Sequence, residues 1–158
     1  MNNIKLIIFD LDGVLVEAKN IHFDALNEAL GKKFKISWEE HLSIYDGLKT
    51  YQKLEMLSKR KNLERTKHKE IWEKKQQITH NKLKNLKREK KLINIMLRLT
   101  KDGYKLAVCS NSIRKTIITV LENLGIIDFF EIIISNEDVK NSKPHPEMYW
   151  KTMSKMSF

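Results

Sequence analysis

The sequence predicts an α/β fold: a parallel sheet core of at least three strands, interrupted by an all-helical insertion. Three observations carry that expectation. Short apolar runs at 4–9, 104–109 and 131–134 each stop abruptly at polar residues, as strands buried on both faces do. A helical pattern separates the second run from the third. The stretch from about Val16 to Lys91 carries no strand signal and reads as helices.

Taken in order, Ile4 to Phe9 ends at Asp10-Leu11-Asp12-Gly13, so two acids sit at the carboxyl end of the first strand. Phe23, Leu26 and Leu30 then form an apolar stripe closed by Gly31, and Ser37 with Glu40 matches a capping box that opens another helix. Leu54, Leu57, Ile71, Trp72, Ile78, Leu83 and Leu86 make thinner stripes in a Lys-rich background, the pattern of amphipathic, largely solvated helices. The second strand ends at Ser110-Asn111-Ser112. Ile113, Ile117, Val120, Leu121 and Leu124 follow at helical spacing, with Ser112 as expected N-cap and Gly125 as stop. The third strand ends at Ser135-Asn136-Glu137-Asp138, and Pro146 opens a last helix. The layout is that of a Rossmann-like core, residues 1–15 plus 92–158, with residues 16–91 as a helical cap insertion. Ligands of such sheets gather beyond the carboxyl ends of the strands.

A chain of 158 residues suits one core with a modest insertion. Its net charge of +10 is uneven: between Lys49 and Lys91 there are 16 Lys and Arg against 5 Glu. A solvated helix face accounts for this better than a nucleic-acid surface, and nucleic-acid binding is not expected. One cysteine, Cys109, excludes an internal disulfide framework and fits a reducing cytoplasm. It ends an apolar strand and reads as a small buried hydrophobe. Neither a signal peptide nor a membrane span is legible, so no membrane association is expected.

Asp10 and Asp12, two positions apart beyond a strand, can aim both carboxylates to one side. They repel unless something positive lies between them, and a divalent cation with a bound phosphate supplies it. Ser110 and Asn111 offer a hydroxyl, an amide and main-chain N–H groups, a set suited to a phosphoryl oxygen. Lys143 lies in Lys-Pro-His-Pro, where prolines restrict the backbone around the ammonium. Each alone has an ordinary structural explanation: a turn, a helix cap, a solvated lysine.

Together and in this order, Phe9-Asp10-Leu11-Asp12-Gly13-Val14-Leu15, Val108-Cys109-Ser110-Asn111-Ser112 and Lys140-Asn141-Ser142-Lys143-Pro144-His145-Pro146-Glu147 resemble three motifs of the haloacid dehalogenase superfamily. The position of the insertion is similar to that of its phosphoglycolate-phosphatase-like and β-phosphoglucomutase-like members. The resemblance implies a Mg²⁺-dependent phosphatase acting on a small phosphorylated metabolite, with Asp10 forming an aspartyl-phosphate. It implies Asp12 as general acid and base, Ser110 and Asn111 as phosphate-binding groups, and Lys143 as the neutralising cation. Mg²⁺ is expected on the Asp10 side chain and the Asp12 carbonyl. Gly47-Leu48-Lys49-Thr50 falls where capped relatives carry a substrate-selecting loop, making Lys49 a candidate contact; His22, on the first cap helix, is more readily a packing or capping residue.

One departure stands out. The family's fourth motif, an acidic pair ending a further strand beside the first, has no counterpart in the sequence, and Glu137 and Asp138 belong to the wrong strand. That predicts weakened Mg²⁺ binding and turnover, and an unpaired edge along the first strand. The edge is expected either to leave the chain poorly folded or to be covered by another chain, self-association included. Two alternatives to the phosphatase reading are a phosphosugar mutase, which returns phosphoryl from a bisphosphate to sugar, and a non-catalytic relative that binds phosphate or a partner.

Overall fold

The computed structural model describes residues 4–46 and 48–157. In chain order the elements are β1 (Leu6–Phe9), α1 (Lys19–Leu30), α2 (Trp38–Glu40) running into a π-helical turn (His41–Tyr45), α3 (Thr50–Lys61), α4 (His68–Leu83), α5 (Lys90–Lys101), β2 (Lys105–Cys109), α6 (Arg114–Leu124), β3 (Ile132–Ile134) and α7 (Glu147–Lys155). The fold is α/β, as expected. By internal packing it divides into Met1–Glu17 with Leu83–Phe158, and Ala18–Lys82. Residues 83–91, assigned to the insertion on sequence grounds, thus group with the sheet. Among the described residues no helix is long and apolar enough to cross a membrane.

In the sheet unit the strands are all parallel and run in the order β1-β2-β3. Phe9 lies opposite Val108 and Cys109 opposite Ile134. Because the registers align, the chain leaves all three strands at one end of the sheet, and the polar residues that follow converge there. β2 is central, and Leu106 to Cys109 are buried. β1 departs from the expectation of burial on both faces: all four of its residues are half-buried. The cause is one-sided pairing, since among the described strands only β2 bonds to it.

α6 ends as expected at Gly125, whose φ of 74° lets its N–H reach the carbonyls of Leu121 and Glu122. Its start differs from expectation. The N-cap is Ile113, one residue beyond Ser112. The Glu137 carboxylate, arriving from the loop after β3, accepts from Arg114 N–H at 2.6 Å. A first-turn donor is thereby satisfied by a distant side chain, which releases the Ser112 hydroxyl for another partner.

The Ala18–Lys82 unit has its own core, centred on Leu26, Leu30, Tyr45, Leu54 and Leu57. Buried Asn27 donates through Nδ2 to Ile36 O at 3.0 Å and accepts from Ile36 N–H at 2.8 Å, which pins α1 to the segment before α2. The Ser37–Glu40 capping box forms in both directions. Trp72, counted in an apolar stripe, instead faces solvent with 37% of its surface exposed, while its neighbour Ile71 takes the buried position.

Beyond β3, Asp138 accepts from the hydroxyl of Ser135 at 2.6 Å and its N–H at 2.7 Å, and its two oxygens accept from Nη2 of the Arg114 guanidinium at 2.8 and 2.9 Å. Burial works against its ionisation, yet the Ser135 and Arg114 bonds outweigh that and hold the carboxyl at about 2. A folded-state value below the ordinary 3.8 adds stability that is fully present above pH 4 and is lost as pH falls towards 2. Asp138→Asn should therefore destabilise the chain by about 2 kcal/mol at neutral pH and by progressively less at acid pH. Urea unfolding at pH 7 and pH 3 measures it; an equal penalty at both contradicts the assignment.

Candidate active site

Asp10 follows β1 directly, and the turn after it is built around Leu11. That side chain is fully buried, and its carbonyl accepts from Leu15 N–H at 2.9 Å and Val16 N–H at 3.1 Å. Gly13, at φ 79°, turns the chain so that its N–H meets Val16 O at 2.8 Å. With Leu11 anchored inward, its two neighbours are turned the other way, and the Asp10 side chain is 43% exposed.

Lys143 comes to Asp10 from the loop before α7. Its Nζ lies 2.7 Å from Asp10 Oδ1 and donates to Cys109 O at 3.0 Å. The side chain is only 16% exposed, so its charge is held against the carboxylate with little water around it. Ser110 continues from β2 with its N–H on Ile134 O at 3.0 Å, and its residue surface is 1% exposed. The Ser110 hydroxyl accepts from Ser112 N–H at 3.0 Å, and the Ser112 hydroxyl in turn donates to Asp12 Oδ2 at 3.3 Å. Asn111 turns its carboxamide to the main chain of Lys143: Nδ2 donates to Lys143 O and Oδ1 accepts from Lys143 N–H, both at 3.0 Å.

The residues singled out on three strand ends thus form two hydrogen-bonded strings, Asp10–Lys143–Asn111 and Asp12–Ser112–Ser110. Ser112 entered the sequence reading only as a helix cap. Its link to Asp12 had no local signature, because it depends on Glu137 taking over the cap from a segment 25 residues further on. Lys49 is the N-cap of α3 in the Ala18–Lys82 unit, where its N–H donates to Gln52 Oε1 at 3.0 Å; Gly47 lies outside the described residues. His22, on α1, places Nδ1 3.2 Å from Lys75 Nζ.

A cation expected here would have the Asp10 carboxylate and the Asp12 carbonyl as its donors, hard oxygen atoms of the kind Mg²⁺ takes. Among the described residues no group of three or more His, Cys, Asp or Glu side chains gathers to hold a metal. The fit is therefore that of an ion which keeps several waters and takes further oxygens from a bound phosphate.

Cys109, beside these residues, is buried, with Sγ 3.1 Å from Thr152 Oγ1. Burial raises its thiol pKa and outweighs the opposing Thr152 bond and Lys143 charge. The thiol should be inert to Ellman's reagent in the folded chain at pH 8 and react fully in guanidinium; rapid native-state reaction contradicts this.

The family model for haloacid dehalogenase-like hydrolases matches residues 7–158. The chain is 27% identical over 159 residues to the phosphoglycolate phosphatase of Photorhabdus laumondii, an alignment covering 97% of this chain and 67% of that protein. Among solved structures, a predicted phosphoglycolate phosphatase from Haemophilus somnus superposes with TM-score 0.85 at 23% identity, covering 100% of this chain and 74% of the other. The β-phosphoglucomutase of Clostridium difficile superposes with TM-score 0.79 at 23% identity, covering 96% and 70%. The chain spans 66–67% of the length of two curated relatives matched over 92% and 97% of its own length, and 25–26% of two others matched over shorter segments.

Proposed function

Because the chain belongs to the haloacid dehalogenase-like hydrolase family, we propose that it is a Mg²⁺-dependent phosphatase, a phosphoric monoester hydrolase acting on a small phosphorylated metabolite. The observation that carries this reading is the 2.7 Å pair between Lys143 Nζ and Asp10 Oδ1. A carboxylate attacking a phosphate must approach another anion, and an ammonium fixed against it removes most of that repulsion before the substrate arrives.

In this mechanism the Asp10 carboxylate attacks phosphorus and the bond to the leaving oxygen breaks, giving an aspartyl-phosphate. Asp12 gives its proton to the departing alkoxide. The same carboxylate then takes a proton from water, whose oxygen attacks the phosphorus, releasing inorganic phosphate and restoring Asp10. Lys143 balances negative charge on the phosphoryl oxygens throughout. Ser110 and the main chain at Asn111 bind one of those oxygens, and Ser112 holds the Asp12 carboxylate in place. The Asp10 side chain and the Asp12 carbonyl would hold Mg²⁺, which when bound supplies further positive charge to the phosphoryl group. Lys49 is a candidate contact for the distal part of the substrate.

Hydrolysis of p-nitrophenyl phosphate in the presence of Mg²⁺ tests the proposal. Asp10→Asn should reduce the rate roughly a thousandfold or more, and Lys143→Ala by about a hundredfold or more. Wild-type turnover equal to that of Asp10→Asn, with no beryllofluoride trapped on Asp10, sinks it in favour of a non-catalytic role.

A further inference from the structure

The loop that carries Lys143 is fastened at both ends by side chains to which the mechanism above gives no chemical step. Asn111 meets the Lys143 main chain twice, donating to its carbonyl and accepting from its N–H. This pairing fixes which end of the carboxamide is which, since a flipped amide sets acceptor against acceptor and donor against donor. Further along, the Glu147 carboxylate accepts from Lys140 N–H at 2.8 Å, from Asn141 N–H at 2.8 Å and from Asn141 Nδ2 at 3.0 Å. These bonds close residues 140–147 into a ring on the first turn of α7. The ring is tied to β2 through Asn111, and its ammonium ends on Cys109 O and Asp10.

A lysine side chain has a long stem and loses much rotamer freedom when its ammonium is held at one point. Its own two polar contacts do not fix where the stem begins. That is set by the main chain at Lys143, and the bonds that set it come from Asn111 and Glu147. We propose that Asn111 and Glu147 are positioning residues that together seat the Lys143 ammonium against Asp10, and that the Asn111 carboxamide acts through Lys143 and not on the substrate. The inference builds on the reading of Lys143 as the neutralising cation, but its structural half stands apart from turnover. The depressed pKa of Glu147, caused chiefly by the Lys140 and Asn141 main-chain bonds, agrees with a carboxylate committed to the ring.

Competitive acetylation of amines, read by mass spectrometry, tests the seating without any need for activity. Lys143 should label slowly relative to Lys101 in the wild type. Asp10→Asn, which removes the ion pair, calibrates the response. In Asn111→Ala and in Glu147→Gln the relative rate at Lys143 should rise roughly fivefold, the factor that one net hydrogen bond is worth, while Lys101 and the circular dichroism stay unchanged. An unchanged Lys143 rate in a folded variant overturns the proposal. If Asn111→Ala does not fold, Glu147→Gln decides alone.

Where the wild type turns over p-nitrophenyl phosphate, a double-mutant cycle adds a second reading. Asn111→Ala should slow the wild type but not further slow Lys143→Ala. An additional loss in the double variant means that Asn111 contacts the substrate directly, which overturns its role as a positioning residue. Absence of turnover in the wild type tells against the phosphatase reading alone, and the labelling result still decides the seating.

Discussion

The ammonium of Lys143 is the tie on which the site depends. It joins the end of β1, through Asp10, to the end of β2, through the Cys109 carbonyl, and it arrives on a loop that follows β3. Three segments far apart in sequence meet at one charged group. Without it, Asp10 keeps the Leu11 N–H at 2.7 Å and Asp12 the Ser112 hydroxyl at 3.3 Å, but no full positive charge offsets the repulsion between the two carboxylates. The pairing is short and shielded on the lysine side, while the Asp10 carboxylate stays 43% open to solvent.

What lies beneath that tie is ordinary packing. Leu11 is buried and fixes the turn after β1. Leu106 to Cys109 fill the centre of the sheet, and Cys109 packs with Ile134 and Met148 of β3 and α7. Each polar residue of the site stands next to such an anchor: Asp10 and Asp12 beside Leu11, Ser110 beside Cys109. The apolar neighbour sets the direction of the polar one, and this is how a small parallel sheet can aim chemistry from a few strand ends.

The strands, the helix after β2 and the Ser37–Glu40 cap were legible because each rests on local signals: apolar runs, helical spacing, glycine and capping residues. The meeting of Asp10 with Lys143 was legible only through the order of three motifs, since nothing local links residues 133 positions apart. The half-burial of β1 was not legible in its own apolar run, which fits burial on both faces; its one-sided pairing was legible only from the absence of the fourth motif. Neither was the use of Ser112. Its neighbours read as a cap, and the competing carboxylate of Glu137 lies in another loop. Trp72 and Ile71 show the same limit on a finer scale: an apolar helix stripe has a centre and a margin, and the sequence does not say which of these two neighbours takes the buried place.

The one-sided pairing of β1 carries a consequence for the motions of the nucleophile. A strand bonded to a single neighbour needs only that ladder to break before it leaves the sheet, whereas β2 must lose two. Amide protons of Leu6 to Phe9 therefore exchange with solvent through smaller openings than those of Leu106 to Val108. Asp10 rides on the less protected strand, so its fluctuations are those of the sheet's margin, and Lys143 is the group that draws it back.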